Sequence, residues 1–394
     1  MSNVRQTILS FLFVLACIGF LAPRFELFGT RLALTDLICL FIVCVVVWGP
    51  TNYINLKLGF RKLELFYACV LLVLGFGYGI AFTDTGSVAL GIRILLFCLA
   101  GVSAAFLSLD HLRRTLNAVT VILLLWFGIA AANAIASLLS GEISLVQFMW
   151  EYDAGRITAP YEVSGTSSVP LGYLFAFVFL YGLYQLDARR SIGALLLTSL
   201  GLVLCFLTAS RASILSAALV LMVFMAIRTR KMSFKGMLAS AALFLPIIIA
   251  IGWSIIEKSL VDGDGLDSSG MQRLGYYTRA VNNLFSEPTS LLVGFGISDV
   301  LLEQRTGVAF YESLLFNSPA QGGVLLLIPS LGLVASPLLQ AAAVDSKRAR
   351  RILRNLLALG AVVFIGNSIG GANFFSVYAY VYYSLLFELL RREA

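Results

Sequence analysis

Apolar stretches of about 16 to 22 residues recur along almost the whole chain, and each can cross roughly 30 Å of hydrocarbon as an α-helix. We interpret twelve of them as membrane spans, near residues 7–22, 32–49, 63–82, 88–107, 118–139, 169–186, 191–209, 212–228, 235–256, 322–343, 353–370 and 372–390. The pattern predicts an all-α, polytopic integral membrane protein in which residues 1–394 form a single transmembrane helical bundle.

Two polar stretches are longer than ordinary connections between spans, a shorter one at residues 140–168 and a large one at residues 257–321. Long loops in compact proteins are usually functional or disordered. The larger stretch contains Arg273, Arg279, Arg305 and Glu312. We therefore expect the active site of the protein in this large loop.

One run inside the large loop, from Met271 to Phe285, has helical periodicity. Its apolar side chains share one helical face: Leu274, Tyr277, Val281, Leu284 and Phe285. This pattern predicts an amphipathic helix that lies along the membrane surface.

Composition and charge agree with this picture. The 394 residues are 59% hydrophobic and only 12% charged, which excludes a water-soluble globular domain. With a cytoplasmic N-terminus, 19 of the 28 basic residues fall on the cytoplasmic side: Arg5, Lys57, Arg61, Lys62, Arg113, Arg114, Arg189, Arg190, Arg228, Arg230, Lys231, Lys235, Lys347, Arg348, Arg350, Arg351, Arg354, Arg391 and Arg392. The positive-inside rule then places both termini in the cytoplasm, and the net charge of +7 calls for no nucleic-acid partner.

Arginines on the outer side are exceptions to this rule and need a reason. Arg211 lies in the sequence TASRAS, between the seventh and eighth predicted spans, with Ser210 and Ser213 beside it. Guanidinium groups suit phosphate oxygens, which makes Arg211 a candidate clamp for a phosphate ligand. The alternative is a side chain that reaches the phosphates of ordinary lipids.

Three further outer arginines are candidates for substrate binding. Arg273 and Arg279 are six residues apart in the predicted amphipathic helix, so they are about 120° apart around it and at most one is expected to contact a given phosphate. Arg156 lies in the shorter loop, in the sequence DAGRITAPYE. Each could instead be an ordinary solvated residue.

Arg93 lies inside the fourth predicted span. A charge within the membrane is costly and normally faces a water-filled cavity or a charged partner. The alternative to a substrate-binding role is therefore an ion pair with Asp36 or Glu312.

Glu312 lies where the large loop returns to the membrane, in AFYESLLFNSPAQGG. Burial against aromatic residues would raise its pKa and make it a candidate general base, whereas an ordinary acidic residue at a helix start is the alternative. Tyr277 is a candidate for stacking on sugar rings, or else part of an aromatic belt at the membrane interface. The single histidine, His111, and the six dispersed cysteines indicate no metal site and no disulfide.

Four stretches in order resemble the O-antigen ligase and polymerase superfamily: APRFELFGTRLALTDLICLF, GRITAPYEVSGTSSVPLGYLFA, LTASRASILSAALVLM and RLGYYTRAVNNLFSEPTSLLVGFG. In the last stretch the pattern is carried by Arg273, Tyr277, Ala280, Pro288, Gly294 and Gly296. The ligases have an HNxxL sequence followed by a glycine, and here Glu312, Ser313, Phe316 and Gly323 occupy those places. Because the outer histidine is missing, the chain resembles the Wzy-type polymerases more than the ligases.

This resemblance implies a glycosyltransferase in the bacterial inner membrane, with its active site facing the periplasm. It would polymerise oligosaccharide repeat units linked to undecaprenyl diphosphate into O-antigen or a related polysaccharide. Arg211, Arg273 and Glu312 would be catalytic, while Arg156, Arg279, Arg93 and Tyr277 would bind substrate; no cofactor and no metal would be needed, because arginines would hold the diphosphate.

The resemblance also implies the partners of the reaction. They are glycan donors and acceptors on the carrier, and membrane lipid, and the resemblance allows a chain-length regulator and a flippase as well. Two alternatives stay open: a ligase that transfers glycan to a lipid or protein acceptor, and a twelve-span secondary transporter. Transporters usually place polar residues near the middle of the membrane on broken helices, whereas the charges here concentrate in the outer loops.

Overall fold

A computed structural model describes residues 3–19, 25–27, 30–32, 34–48, 59–144, 168–208, 210–228, 268–286, 288–308, 313–343, 350–369 and 377–393. Within these ranges the chain is helical apart from turns and one short antiparallel hairpin, β1 (Phe25–Leu27) and β2 (Thr30–Leu32), in which Glu26 pairs with Arg31. The all-helical class predicted from the apolar pattern is confirmed.

The α-helices of the described ranges are α1 (Asn3–Ile18), α2 (Leu34–Val47), α3 (Lys62–Phe82), α4 (Thr85–Val102), α5 (Leu109–Leu139), α6 (Ser168–Arg189), α7 (Ile192–Leu207), α8 (Arg211–Arg228), α9 (Ser268–Ser286), α10 (Pro288–Val293), α11 (Asp299–Thr306), α12 (Leu314–Ala342), α13 (Arg350–Ile369) and α14 (Val377–Arg392). Short 3₁₀ turns at Gly59–Arg61 and Ser103–Phe106 adjoin α3 and α4.

The helices occupy the positions of the predicted spans, except that the ninth, 235–256, lies outside the described residues. In the described part, five helical stretches are long and apolar enough to cross a membrane: Lys62–Phe82, Thr85–Phe106, Leu109–Leu139, Pro170–Arg189 and Phe316–Ala342. Four shorter apolar helices accompany them, at Asn3–Ile18, Leu34–Val47, Ile192–Leu207 and Ala212–Phe224. The chain is thus a helical membrane protein, while the number of twelve spans stays a prediction.

Two helices lie at the centre of the bundle. Residues 170–182 of α6 and residues 378–390 of α14 are buried on every side, as is typical of a helix that is apolar all round. The helix α14 packs against α1, α4, α5, α6 and α13. The hydroxyls of Tyr380, Tyr382 and Tyr383 find polar partners inside the bundle, and the Tyr382 hydroxyl, for example, lies 2.8 Å from Thr120 Oγ1.

One end of the bundle, which we call the basic end, carries ion pairs at helix termini. These are Arg113–Glu393 at 2.6 Å, Arg351–Asp187 at 3.1 Å, Arg354–Asp187 at 2.7 Å, Arg391–Glu388 at 2.6 Å and Arg392–Glu388 at 2.5 Å. The first pair joins the start of α5 to the end of α14, the next two join the start of α13 to the end of α6, and the last two lie within α14. The basic end therefore gathers residues that the sequence places on the cytoplasmic side.

A fully buried ion pair lies at the start of α3. Arg61 and Glu64 are both 0% exposed and their side chains are 3.0 Å apart. Arg61 also donates to the Gly101 carbonyl at 3.0 Å, and Glu64 accepts a hydrogen bond of 2.6 Å from the Tyr380 hydroxyl. Because the charges are paired and hydrogen-bonded, this cluster ties α3 to α4 and α14.

The helix α12 is broken near its beginning. Gly322 (φ −136°, ψ 18°) and Gly323 (φ 60°, ψ −155°) leave the helical conformation, and the helix resumes beyond them. A break frees backbone groups that must find partners elsewhere, particularly in a membrane protein. Those partners come from the loop segment between α10 and α11.

Candidate functional site

The loop segment between α10 and α11 is fixed to the break in α12 by three hydrogen bonds. The Phe295 amide donates to the Ala320 carbonyl at 2.8 Å, and the Gly296 amide donates to the Gln321 carbonyl at 3.3 Å. The Gln321 side chain donates in turn to the Ile297 carbonyl at 2.9 Å. The segment thereby satisfies the carbonyls that the break exposes.

Glycine is required on both sides of this contact. Gly294 has φ +80°, and a Cβ there would lie 2.5 Å from the Gln321 carbonyl carbon. A Cβ on Gly323 would lie 2.2 Å from the Leu292 carbonyl oxygen, in a backbone region that is essentially restricted to glycine. The first glycine of the Gly-x-Gly sequence, Gly294, therefore has a structural reason, which is close backbone approach.

Asp84 connects the same segment to the start of α4. Its carboxylate accepts hydrogen bonds from the Ser87 hydroxyl, from the Ser298 hydroxyl at 2.6 Å and from the Gly86 amide at 3.1 Å. Partial burial by itself would raise the pKa of Asp84, but the hydrogen bonds outweigh it and hold the pKa below its ordinary value. Asp84 is thus ionised at neutral pH and fixes the start of α11 to α4.

Arg305, in the last turn of α11, lies against the end of α3. Its Nη1 donates to the Phe295 carbonyl at 3.0 Å, and its guanidinium carbon lies 5.2 Å from the centre of the Phe82 ring and 5.6 Å from that of Phe295. The Tyr78 hydroxyl, one turn before Phe82, donates to the Val293 carbonyl at 2.7 Å. Arg61, just before α3, lies 5.9 Å from the centre of the Phe387 ring, beside Glu388, so α3 begins near the basic end. Because α3 rises about 31 Å over 21 residues, this segment lies at the opposite end, which we call the loop end.

The predicted amphipathic helix exists as α9, but the partner of its apolar face differs from the prediction. Tyr277 stacks on Phe316 of α12, with ring centres 4.2 Å apart and planes 9° apart. Ala280 and Leu284 are buried in the same small core, while Val281 and Phe285 stay exposed. The centre of the apolar face therefore packs on protein rather than on the membrane surface, and one face of the Tyr277 ring is covered.

The two arginines of α9 lie on different sides of the helix, as their spacing predicts. Arg279 is exposed. Arg273 precedes the buried Ala280 by seven residues, so its backbone position belongs to the packed side of the helix; its side chain lies outside what the structure describes. Of the two, Arg273 has the position closer to the contact between α9 and α12.

Arg211 is the first residue of α8, and here too the side chain lies outside the description. Its neighbours Ser210 and Ser213 are buried, and the Ser213 hydroxyl donates to the Ser210 carbonyl at 2.8 Å. A Cβ on Gly172, near the start of α6, would lie 2.6 Å from Ser213 Oγ. Since α6 ends at the basic end, this turn lies at the loop end, the side of the bundle that holds Arg305.

Arg93 forms an ion pair with Asp36, with 3.0 Å between Nε and Oδ1. Asp36 was one of the two partners that the sequence left open, and its side chain is 6% exposed whereas that of Arg93 is 41% exposed. The guanidinium also lies 5.3 Å from the centre of the Phe97 ring. The ion pair explains how a charge is accommodated in this helix without a substrate.

Glu312 and Arg156 lie outside the described residues. The residue after Glu312, Ser313, is fully buried at the N-terminus of α12, and its hydroxyl makes no hydrogen bond to the described residues. Its carbonyl accepts the amides of Phe316 at 3.0 Å and Asn317 at 2.7 Å, which starts the helix.

Sequence reasoning did not identify the roles of Asp84, Ser298 and Arg305. Asp84 and Ser298 cap α4 and α11, and both are residue types that favour the N-cap position, so the local signal was present in the sequence. Their contact with each other was not visible, because 214 positions separate them. No protein-family model and no curated protein matches this chain, so its membership of the superfamily that it resembles stays a proposal.

Proposed function

We propose that the protein is a membrane glycosyltransferase that polymerises undecaprenyl-diphosphate-linked oligosaccharide repeat units. A hydroxyl of one carrier-linked glycan attacks the anomeric carbon of a second. The bond from that carbon to the diphosphate oxygen breaks, and the electron pair leaves with the diphosphate. The attacking hydroxyl passes its proton to a base, for which Glu312 is the candidate, and no metal is needed because arginines stabilise the departing charge.

The observation that carries this proposal is the position of the segment from α9 to α11. It lies on the bundle end opposite the basic end, held by Asp84, Tyr78 and the break in α12. Under the positive-inside rule the basic end is cytoplasmic, with both termini, and the loop end faces the periplasm of a bacterial inner membrane. The loop-end arginines would then face the lipid-linked glycans there.

The roles of the individual residues follow from this position. Arg211 and Arg273 are the first candidates for holding the leaving diphosphate. Arg279 and Arg156 would add substrate contacts. The exposed part of Arg93 would be available to substrate as well, and Tyr277 stays a candidate for contact with a sugar ring.

The break in α12 is a specific observation in favour of the rival class, a secondary transporter. Transporters coordinate ions with the carbonyls of broken helices near the middle of the membrane. Here the Ala320 and Gln321 carbonyls instead accept amides of the loop segment. The break also lies about 12 Å from the start of α12, near the loop end. Both features indicate that the break binds the loop segment between α10 and α11 rather than an ion.

Deleting the gene in its own bacterium tests the proposal. Surface polysaccharide, separated on a gel, should lose its ladder and show a band with a single repeat unit, and a plasmid copy should restore the ladder. A ligase would behave differently, because its loss leaves complete polymer attached to the carrier. An unchanged ladder in the deletion strain would overturn the proposal.

A further inference from the structure

Arg305 is held in place, and the described part of the chain does not neutralise its charge. Phe82 and Phe295 lie beside its guanidinium, and Nη1 donates to a single backbone carbonyl at 3.0 Å. Among the described residues no carboxylate forms an ion pair with it, and the residue is exposed. An arginine has five N–H donors, and within the described ranges only Nη1 has a protein acceptor.

This contrasts with the arginines of the basic end. Arg113, Arg354, Arg391 and Arg392 each pair with a carboxylate at 2.7 Å or less. Arg305 has its position fixed by two rings and a helix end, so binding an anion would cost little side-chain entropy. A guanidinium of this kind is suited to phosphate oxygens.

Arg305 and the helix that begins at Arg211 contact different helices. Arg305 contacts the end of α3, whereas α8, which begins at Arg211, packs on α6 and α13. These different packing partners favour two separate sites over one clamp. This matters because the proposed reaction joins two substrates that each carry a lipid diphosphate.

We propose that Arg305 binds the diphosphate of the second carrier-linked glycan, the acceptor, while Arg211 belongs to the site of the departing diphosphate. This inference rests on the proposed function. The acceptor's diphosphate stays intact during the transfer, so Arg305 contributes equally to substrate and transition state. Its loss should weaken acceptor binding and leave the chemical step unchanged.

The test measures binding of undecaprenyl diphosphate to the full-length protein in phosphatidylcholine nanodiscs, by native mass spectrometry. The wild-type chain should bind two molecules. Arg305→Gln should bind one with unchanged affinity and the other about tenfold or more weakly. Arg305→Lys keeps the charge but loses the forked pair of N–H donors. Its affinity for the second molecule should lie between the affinities of the wild type and of Arg305→Gln. Arg114→Gln removes an exposed charge from α5, at the basic end, and should match the wild type.

Each other outcome has a defined meaning. If Arg305→Gln still binds two molecules with wild-type affinities, the second site is not at Arg305 and the inference is wrong. If Arg305→Gln weakens binding of phosphatidylglycerol as much as it weakens binding of undecaprenyl diphosphate, Arg305 belongs to a general phospholipid site. That result would also overturn the inference. If the wild-type chain binds no undecaprenyl diphosphate, the proposed function itself fails, which separates the two claims.

Discussion

Replacing Gly323 by alanine is expected to abolish polymer formation while the protein still inserts in the membrane. The new Cβ would lie 2.2 Å from the Leu292 carbonyl oxygen, and the backbone at φ 60°, ψ −155° disfavours any residue with a side chain by about 1–3 kcal/mol. The clash adds to this cost, so the segment at residues 293–298 should detach from α12. Hydrogen–deuterium exchange of the Phe295 and Gly296 amides should become much faster.

Gly332→Ala provides the matched control in the same helix. A Cβ there would lie 3.4 Å from the Leu63 side chain, which is an ordinary contact. This variant should keep both the slow exchange and the polysaccharide ladder. A Gly323→Ala protein with a normal ladder would show that docking of the segment is not needed for activity.

Replacing Glu64 by glutamine should cause the largest loss of stability in the membrane bundle. The change leaves the Arg61 charge buried without a carboxylate, and breaking a buried pair in this way costs about 3–5 kcal/mol. Thermal unfolding of the purified protein in detergent should show a markedly lower midpoint. The joint variant Arg61→Met with Glu64→Leu should recover part of the loss, because it leaves no unpaired charge.

Lys62→Ala serves as the comparison, because Lys62 is exposed and lies between the two paired residues in sequence. We expect its unfolding midpoint to stay close to that of the wild type. Equal midpoints for Glu64→Gln and Lys62→Ala would mean that the buried pair contributes little to stability.

The helices could be predicted from the sequence because an apolar run of span length has one stable form in a membrane. The same reasoning found α9 from its periodicity. It could not identify what covers the apolar face of α9, because amphipathicity reports that a face is buried and not what buries it. Tyr277 meets Phe316, a residue 39 positions away, and only the folded chain shows this contact.

Long-range pairing limited the prediction of the site in the same way. The sequence offered Asp36 and Glu312 as partners of Arg93, and the structure shows the ion pair with Asp36, while Glu312 lies outside the described residues. The paired glycines Gly322 and Gly323 suggest a break in the helix. Its role could not be predicted, because the loop segment that it binds, between α10 and α11, lies more than 20 positions earlier in the chain. Arg305 could not be separated from the other outer arginines until its aromatic neighbours were known.

The most direct test of the account changes Arg211 in the deletion strain that carries a plasmid copy of the gene. If guanidinium groups at the loop end stabilise the departing diphosphate, Arg211→Ala should give only the band with a single repeat unit, and Arg211→Lys should restore little or none of the ladder, because lysine cannot form the forked contact. Membrane levels of both proteins should equal the wild type. Full-length polymer from both variants at normal levels would contradict the account.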